Sequence, residues 1–151
     1  MDTLSHALWG KGLFGYRKYR WYSFLFGALP DLFSFGIYFL YRILFNSSSM
    51  MGRPSGNEIP EWVYSLYDFS HSLVIASIFI FIVYKINKDF AFPMLAWISH
   101  IMLDFFTHSL EFFPTPIFWP LSDYQFDGVP WSNPIIFFTK ALTPALISIG
   151  K

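Results

Sequence analysis

The chain has 151 residues, of which 54% are hydrophobic, 23% aromatic and only 13% charged. A soluble domain carries about 25% charged residues, and one this small leaves much of its surface exposed, so the composition excludes an ordinary soluble fold and points to lipid as solvent. The 10 basic and 10 acidic residues cancel, leaving no basic excess for nucleic acid, and the absence of Cys excludes disulfides and thiolate-held metal.

The start, Met1-Asp2-Thr3-Leu4-Ser5-His6, has no basic n-region, so no cleavable signal peptide is expected. Thr3 to Phe14 places Leu4, Ala7, Leu8 and Leu13 in an amphipathic pattern. It is too short to span and is expected to lie in the interface or tip into a bundle. Ser23 to Phe45 is the first expected crossing, interrupted by Pro30-Asp31 and by Arg42. The connection 46–69 follows, with Asn46 to Gly56 reading as a flexible loop. Ser70 to Ile86 is the second crossing and Phe90 to Leu110 the third, carrying His100, Asp104 and His108. Pro134 to Ile149 is a shorter fourth, interrupted by Lys140 and Pro144. A spanning helix needs about 20 mostly apolar residues, and apolar runs in lipid must be helical because a bare backbone finds no partner there. The expected fold is all-α over 1–151: a single membrane-embedded helical bundle of about four crossings plus a short N-terminal amphipathic helix.

Lys11, Arg17, Lys18 and Arg20 precede the first crossing, and Lys85 and Lys88 sit in the turn between the second and third. Two crossings separate these groups, so they share a side. The positive-inside rule makes that side cytoplasmic and places the acidic connections 46–69 and 111–133 outside. Trp21, Trp62, Trp119 and Trp131 fall near expected ends of crossings, where interfacial aromatics belong.

An ionisable residue inside a membrane helix costs roughly 2.5 to 3.5 kcal/mol and is a functional candidate for that reason. His100, Asp104 and His108 recur every four residues, which drifts only about 40° per step around a helix, so the three share one stripe. Two ligands at i and i+4 can grip one ion, and His with Asp suits Zn²⁺ or another borderline divalent metal. Asp31 follows a proline that weakens its helix. His71 opens the second crossing, and His6 lies on the short first helix. The chain has four His, each preceded by Ser or Thr. Taken singly, each is an ordinary interhelical hydrogen-bond partner, and Asp104 could simply pair with His100. Taken together, a shared metal would satisfy them all. A non-catalytic structural metal site, a buried polar network and a proton relay are the rival readings.

Four blocks, Met1-Asp2-Thr3-Leu4-Ser5-His6-Ala7, Gly27-Ala28-Leu29-Pro30-Asp31, Ser70-His71-Ser72-Leu73 and His100 to His108, resemble in content and order the YdjM-like (LexA-regulated) membrane-bound metal-dependent hydrolases. Trp119-Pro120-Leu121-Ser122-Asp123 extends the likeness. That family is in turn distantly similar to the all-helical zinc-dependent phospholipases C. The resemblance implies that His6, Asp31, His71, His100, Asp104 and, less directly, His108 hold one to three divalent ions, most simply Zn²⁺. It implies metal-assisted hydrolysis of a phosphoester in a lipid or lipid-linked substrate, with Asp31 as the catalytic ligand that orients or deprotonates water. It also implies a prokaryotic plasma-membrane setting. The sequence departs from the family pattern at Phe33, where many relatives carry a second acid, and at Leu66-Tyr67, where many carry His-Arg.

Overall fold

The computed structural model describes residues 2–45, 59–111, 113–130 and 133–134. Its order is α1 (Thr3–Phe14), α2 (Arg20–Asp31), a π-helical segment (Leu32–Gly36), α3 (Ile37–Phe45), α4 (Glu61–Ser70), α5 (Leu73–Ile86) and α6 (Lys88–Thr107). Among the described residues the chain is a helical bundle. α1, α2 and α6 pack on one another, α5 lies against α6, and α4 lies against the π-helical segment.

Two helices are long and apolar enough to cross a membrane, Arg20–Phe45 and Lys88–Thr107. A third candidate is α4 with α5, bent by 51° at a short break. Two or three spans, rather than four, are therefore supported. The expected fourth crossing, beyond Pro134, lies outside the described residues, as do the loop Asn46 to Gly56 and Trp131.

Three expectations change in detail. The 46–69 connection is not all loop: Glu61–Ser70 is helical and buries Val63, Tyr67 and Ser70. Its acidic residues disguised it, although Glu61 in the first turn suits the positive end of a helix. The α5 helix alone has 14 residues, too few to span. The α6 helix ends at Thr107 rather than Leu110, so His108 caps it in an extended conformation instead of continuing the stripe.

Pro30 does not break its helix. It lacks an N–H, which strands the carbonyl of Phe26, but the helix runs on and widens into the π-helical turn after Asp31. The Ser34 hydroxyl donates to the Pro30 carbonyl at 3.1 Å, and the Ser70 hydroxyl donates to the same oxygen at 3.2 Å. Such π-bulges recur at functional sites, and this one begins at the residue after Asp31.

The α1 helix has the expected bounds but not the expected face. Ser5, His6, Ala7, Gly10 and Gly12 are buried, whereas Leu4 and Leu8 point outward. Close approach of backbones is the cause. A Cβ on Gly10 would lie 2.6 Å from the Ser23 carbonyl, and one on Gly27 would lie 2.5 Å from the His6 carbonyl. Small residues at a helix crossing are how membrane helices come close, and here they leave no room for leucine. Asp2 caps α1, accepting from the Ser5 amide at 2.9 Å.

The interior is unusually polar and the exterior apolar. Asp31, Asp104, all four His and several Ser and Thr are buried, while Leu32, Phe39, Leu40, Phe81 and Ile82 are exposed. The two basic turns meet at one end, as their spacing implied. Lys18 lies 3.8 Å from Asp89, and Tyr19 and Tyr22 pack edge-on against Phe90. At the other end the non-helical segment 113–130 covers the bundle. Leu73 N–H donates to the Ile117 carbonyl at 2.9 Å and Gly128 N–H to the His108 carbonyl at 2.8 Å.

Candidate metal centre

Four side chains from four places in the sequence converge. Asp31 stands at the end of α2, His71 in the break between α4 and α5, and His100 and Asp104 one turn apart on α6. Each offers a ligand atom within 4.8 Å of those of the others, and all four residues are buried. His71 Nε2 lies 3.1 Å from His100 Nε2. Asp31 Oδ1 is 3.7 Å from both nitrogens. Asp104 Oδ2 is 3.5 Å from His71 Nε2 and 3.2 Å from His100 Nε2.

Hydrogen bonds on the far side of each ring place a proton on Nδ1. A carbonyl can only accept, so a ring nitrogen bonded to one must be an N–H. His100 Nδ1–H donates to the Gly27 carbonyl at 2.6 Å. His71 Nδ1–H donates to the Tyr67 carbonyl at 3.1 Å, with the Ser70 hydroxyl 3.0 Å away. Both rings therefore turn Nε2 into the same space, where two imidazole lone pairs facing each other at that separation would repel. Two carboxylate oxygens add more negative charge. A cation between them turns every one of these contacts attractive, and an imidazole held through its other nitrogen is the usual form of a metal-ligating histidine. Donors 2.0 to 2.1 Å from a tetrahedral Zn²⁺ sit roughly 3.3 Å apart, inside the observed spread. The residues present thus fit a divalent ion.

Asp104 serves both flanks. Its Oδ1 lies 2.8 Å from His6 Nε2 and 3.3 Å from His108 Nε2. His108 follows the same pattern as His71 and His100, with Nδ1–H on the Phe113 carbonyl at 2.9 Å. His6 does not. Its Nδ1 is buried without a hydrogen-bond partner, and its ring stacks on His100 with centroids 3.7 Å apart. Burial holds the His6 imidazole down at about 4, although the nearby Asp104 pulls it up. Burial likewise lowers His108 against the pull of Asp104. Both rings are therefore neutral at pH 7, the form that ligates.

All six residues singled out from the sequence, His6, Asp31, His71, His100, Asp104 and His108, meet in this one region. His6 lies on α1, before the basic turn at Arg17 to Arg20. The glycine crossing of α1 over α2 brings it in. Phe33 lies outside the centre, exposed and packed near Phe69. Of the Ser and Thr residues before each His, only Ser70 reaches its neighbour's ring. The Ser5, Ser99 and Thr107 hydroxyls bond to Asp2, the Ala96 carbonyl and the Leu103 carbonyl.

Sequence reasoning missed the residues that orient the ligands. Tyr67 stacks on His71 at 3.8 Å, and its hydroxyl donates to the Phe113 carbonyl at 3.0 Å, 3.0 Å from His108 Nδ1. Thr3 Oγ1 donates to Asp31 Oδ2 at 2.8 Å. Gly27 and Phe113 act through their carbonyls, and Phe113 is held at a φ of 48°, sparsely populated for a residue with a side chain. A backbone carbonyl leaves no mark in a sequence. Compared with family models, with curated proteins and with solved structures, the chain finds no match.

Proposed function

We propose that the chain is a membrane-embedded metal-dependent hydrolase acting on a phosphoester of a lipid or lipid-linked substrate. The observation that carries the metal is the pair of Nε2 atoms of His71 and His100, 3.1 Å apart, facing two carboxylates. Asp31, His71, His100 and Asp104 would hold one ion. His6 and His108, on the other oxygen of Asp104, are the residues placed to complete a second. Zn²⁺ suits the donor set, and when bound it lowers the pKa of a coordinated water from 15.7 to about 7.

The residues divide the remaining work. The Asp31 side chain retains 8% exposure and His108 7%, against 0 or 1% for His6, His71, His100 and Asp104. A substrate approaching the centre meets these two first. Asp31 Oδ1 faces the ligand nitrogens while Oδ2 is held by Thr3, so the carboxylate is fixed to orient a water or take its proton. The ordered likeness to the membrane-bound hydrolases supports hydrolysis as the reaction. The exposed apolar belt supports lipid as the surroundings, and the basic turns support a cytoplasmic position for that end of the bundle in a prokaryotic plasma membrane.

One observation favours a second reading. Four protein donors already close a tetrahedron, and closure marks structural metal sites. Metal analysis and turnover separate the two. Purified chain should carry stoichiometric metal that His100→Ala and Asp104→Ala lose; equal, substoichiometric metal in all three would sink both readings. Chelator-sensitive release of phosphorylated headgroup from phospholipid vesicles supports the enzyme. Full metal occupancy with no turnover on phospholipid or lipid-pyrophosphate substrates supports the structural site.

A further inference from the structure

A cavity of about 540 Å³ lies between the end of α1 and the start of α2, lined by Lys11, Gly12, Gly15, Tyr16, Arg17, Arg20 and Trp21. None of these residues belongs to the metal centre, and Arg20 and Asp31 are roughly 16 Å apart along α2 at 1.5 Å per residue. The lining has three cations and no anion. Among the described residues no carboxylate pairs with Lys11, Arg17 or Arg20, and the ion pair at this end, Lys18 with Asp89, uses a different cation. Two of the cations are steered by rings instead. Lys11 Nζ lies 3.9 Å above Trp21, and the Arg17 guanidinium lies 4.2 Å from the centre of Phe92. Three like charges around one hollow repel each other, and an anion in it reverses that cost. The start of α2 adds to the field: no side chain caps it, and its free amide end is positive.

Position selects the anion. Arg20 is the first residue of the candidate span Arg20–Phe45, so the cavity lies at headgroup depth. Tyr16, Trp21 and Tyr22 around it are exposed, as interfacial aromatics are. The volume is within the range of about 300 to 1,000 Å³ typical of small-molecule sites, far more than one phosphate needs. We propose that this cavity binds the phosphodiester headgroup of an anionic lipid, with Lys11, Arg17 and Arg20 as its charge partners. Basic pockets beside membrane helices are suited to such headgroups. The site is independent of the hydrolase reading, and its loss would leave metal content unchanged.

The test uses the full chain in vesicles of phosphatidylglycerol and phosphatidylcholine, with retained lipid identified by native mass spectrometry. Wild-type protein should retain phosphatidylglycerol preferentially. The triple variant Lys11→Gln, Arg17→Gln, Arg20→Gln should lose that preference by roughly 100-fold, about fivefold for each of the three cations. The variant Lys85→Gln, Lys88→Gln, altered at the same end but outside the cavity, should keep it. An undiminished preference in the triple variant overturns the proposal. So does displacement of the lipid from wild type by excess inorganic phosphate, which would assign the cavity to a soluble anion. Should the triple variant not fold, a headgroup-photoactivatable phosphatidylglycerol on wild type decides: adducts within 11–21 support the site, and adducts confined elsewhere overturn it.

Discussion

His71, in the break between α4 and α5, and His100, on α6, hold their Nε2 atoms 3.1 Å apart, each with its Nδ1–H committed to a backbone carbonyl. Neither ring can turn away without abandoning a buried hydrogen bond. Folding therefore gathers two ring nitrogens and two carboxylates into one buried space that a cation would suit. Chelation should lower the thermal midpoint measurably, since an ion at about 100 times its Kd contributes about 2.7 kcal/mol to the folded state. Melting curves in detergent with and without chelator, followed by zinc restoration, check this. An unchanged midpoint would mean that the rings relax by another route.

Gly27 links the fold to the centre twice. Its missing Cβ lets α1 approach, and its carbonyl orients His100. Gly27→Ala would place a methyl 2.5 Å from the His6 carbonyl, so α1 must shift and carry His6 away. We expect a destabilisation of about 1 to 3 kcal/mol, the usual range for overpacking, together with weakened metal retention. Gly36→Ala is the control, because the nearest atoms are a flexible Leu32 side chain at 3.5 Å. Equal losses from both substitutions would show that helix glycine content, not the crossing, matters.

Tyr67 braces two of the converging histidines at once, stacking on His71 and meeting His108 through its hydroxyl. Tyr67→Phe keeps the stack on His71 but removes the hydroxyl that meets Phe113, His108 and Thr115. Its expected cost is about 1 to 2 kcal/mol, that of a buried hydrogen bond. Metal held by His71 and His100 should persist. Tyr67→Ala should cost about 3 to 5 kcal/mol as a large buried deletion and should reduce metal content as well. Thermal melts and metal analysis of both variants distinguish bracing through the hydroxyl from bracing through the ring.

The candidate ligands are legible in the sequence because buried charge is expensive in an apolar helix, which makes His100 and Asp104 conspicuous. Asp31 stood out beside Pro30 for the same reason. What orients them was not legible. The carbonyls of Gly27, Tyr67 and Phe113 depend on where backbones pass, which no residue type announces. The α4 helix was hidden because Glu61 and Asp68 dilute its apolar face, and the π-helical turn after Asp31 because proline ordinarily signals a break. The inward face of α1 was misjudged because hydrophobic pattern assumes water outside. Beside lipid Leu4 and Leu8 would gain nothing by turning in, and contact through Gly10 and Ala7 decides the face.

Asp31 offers the sharpest separation between holding metal and using it. Asp31→Asn preserves shape and the contact with Thr3 while removing the negative charge and the capacity to accept a proton. If Asp31 orients and deprotonates water, turnover should fall by about 10² to 10⁴, the span of general acid–base contributions. His71, His100 and Asp104 should still retain metal. Thr3→Val keeps the volume and removes only the donor to Asp31 Oδ2, 2.8 Å away. Loss of such a supporting bond typically costs about 10- to 100-fold, so it should lower kcat with little effect on metal content or thermal midpoint. Release of phosphorylated headgroup from phospholipid vesicles, measured beside metal analysis of the same preparations, reads both. Metal lost in parallel with turnover in Asp31→Asn would make Asp31 a ligand alone, and an inert Thr3→Val would remove the positioning role.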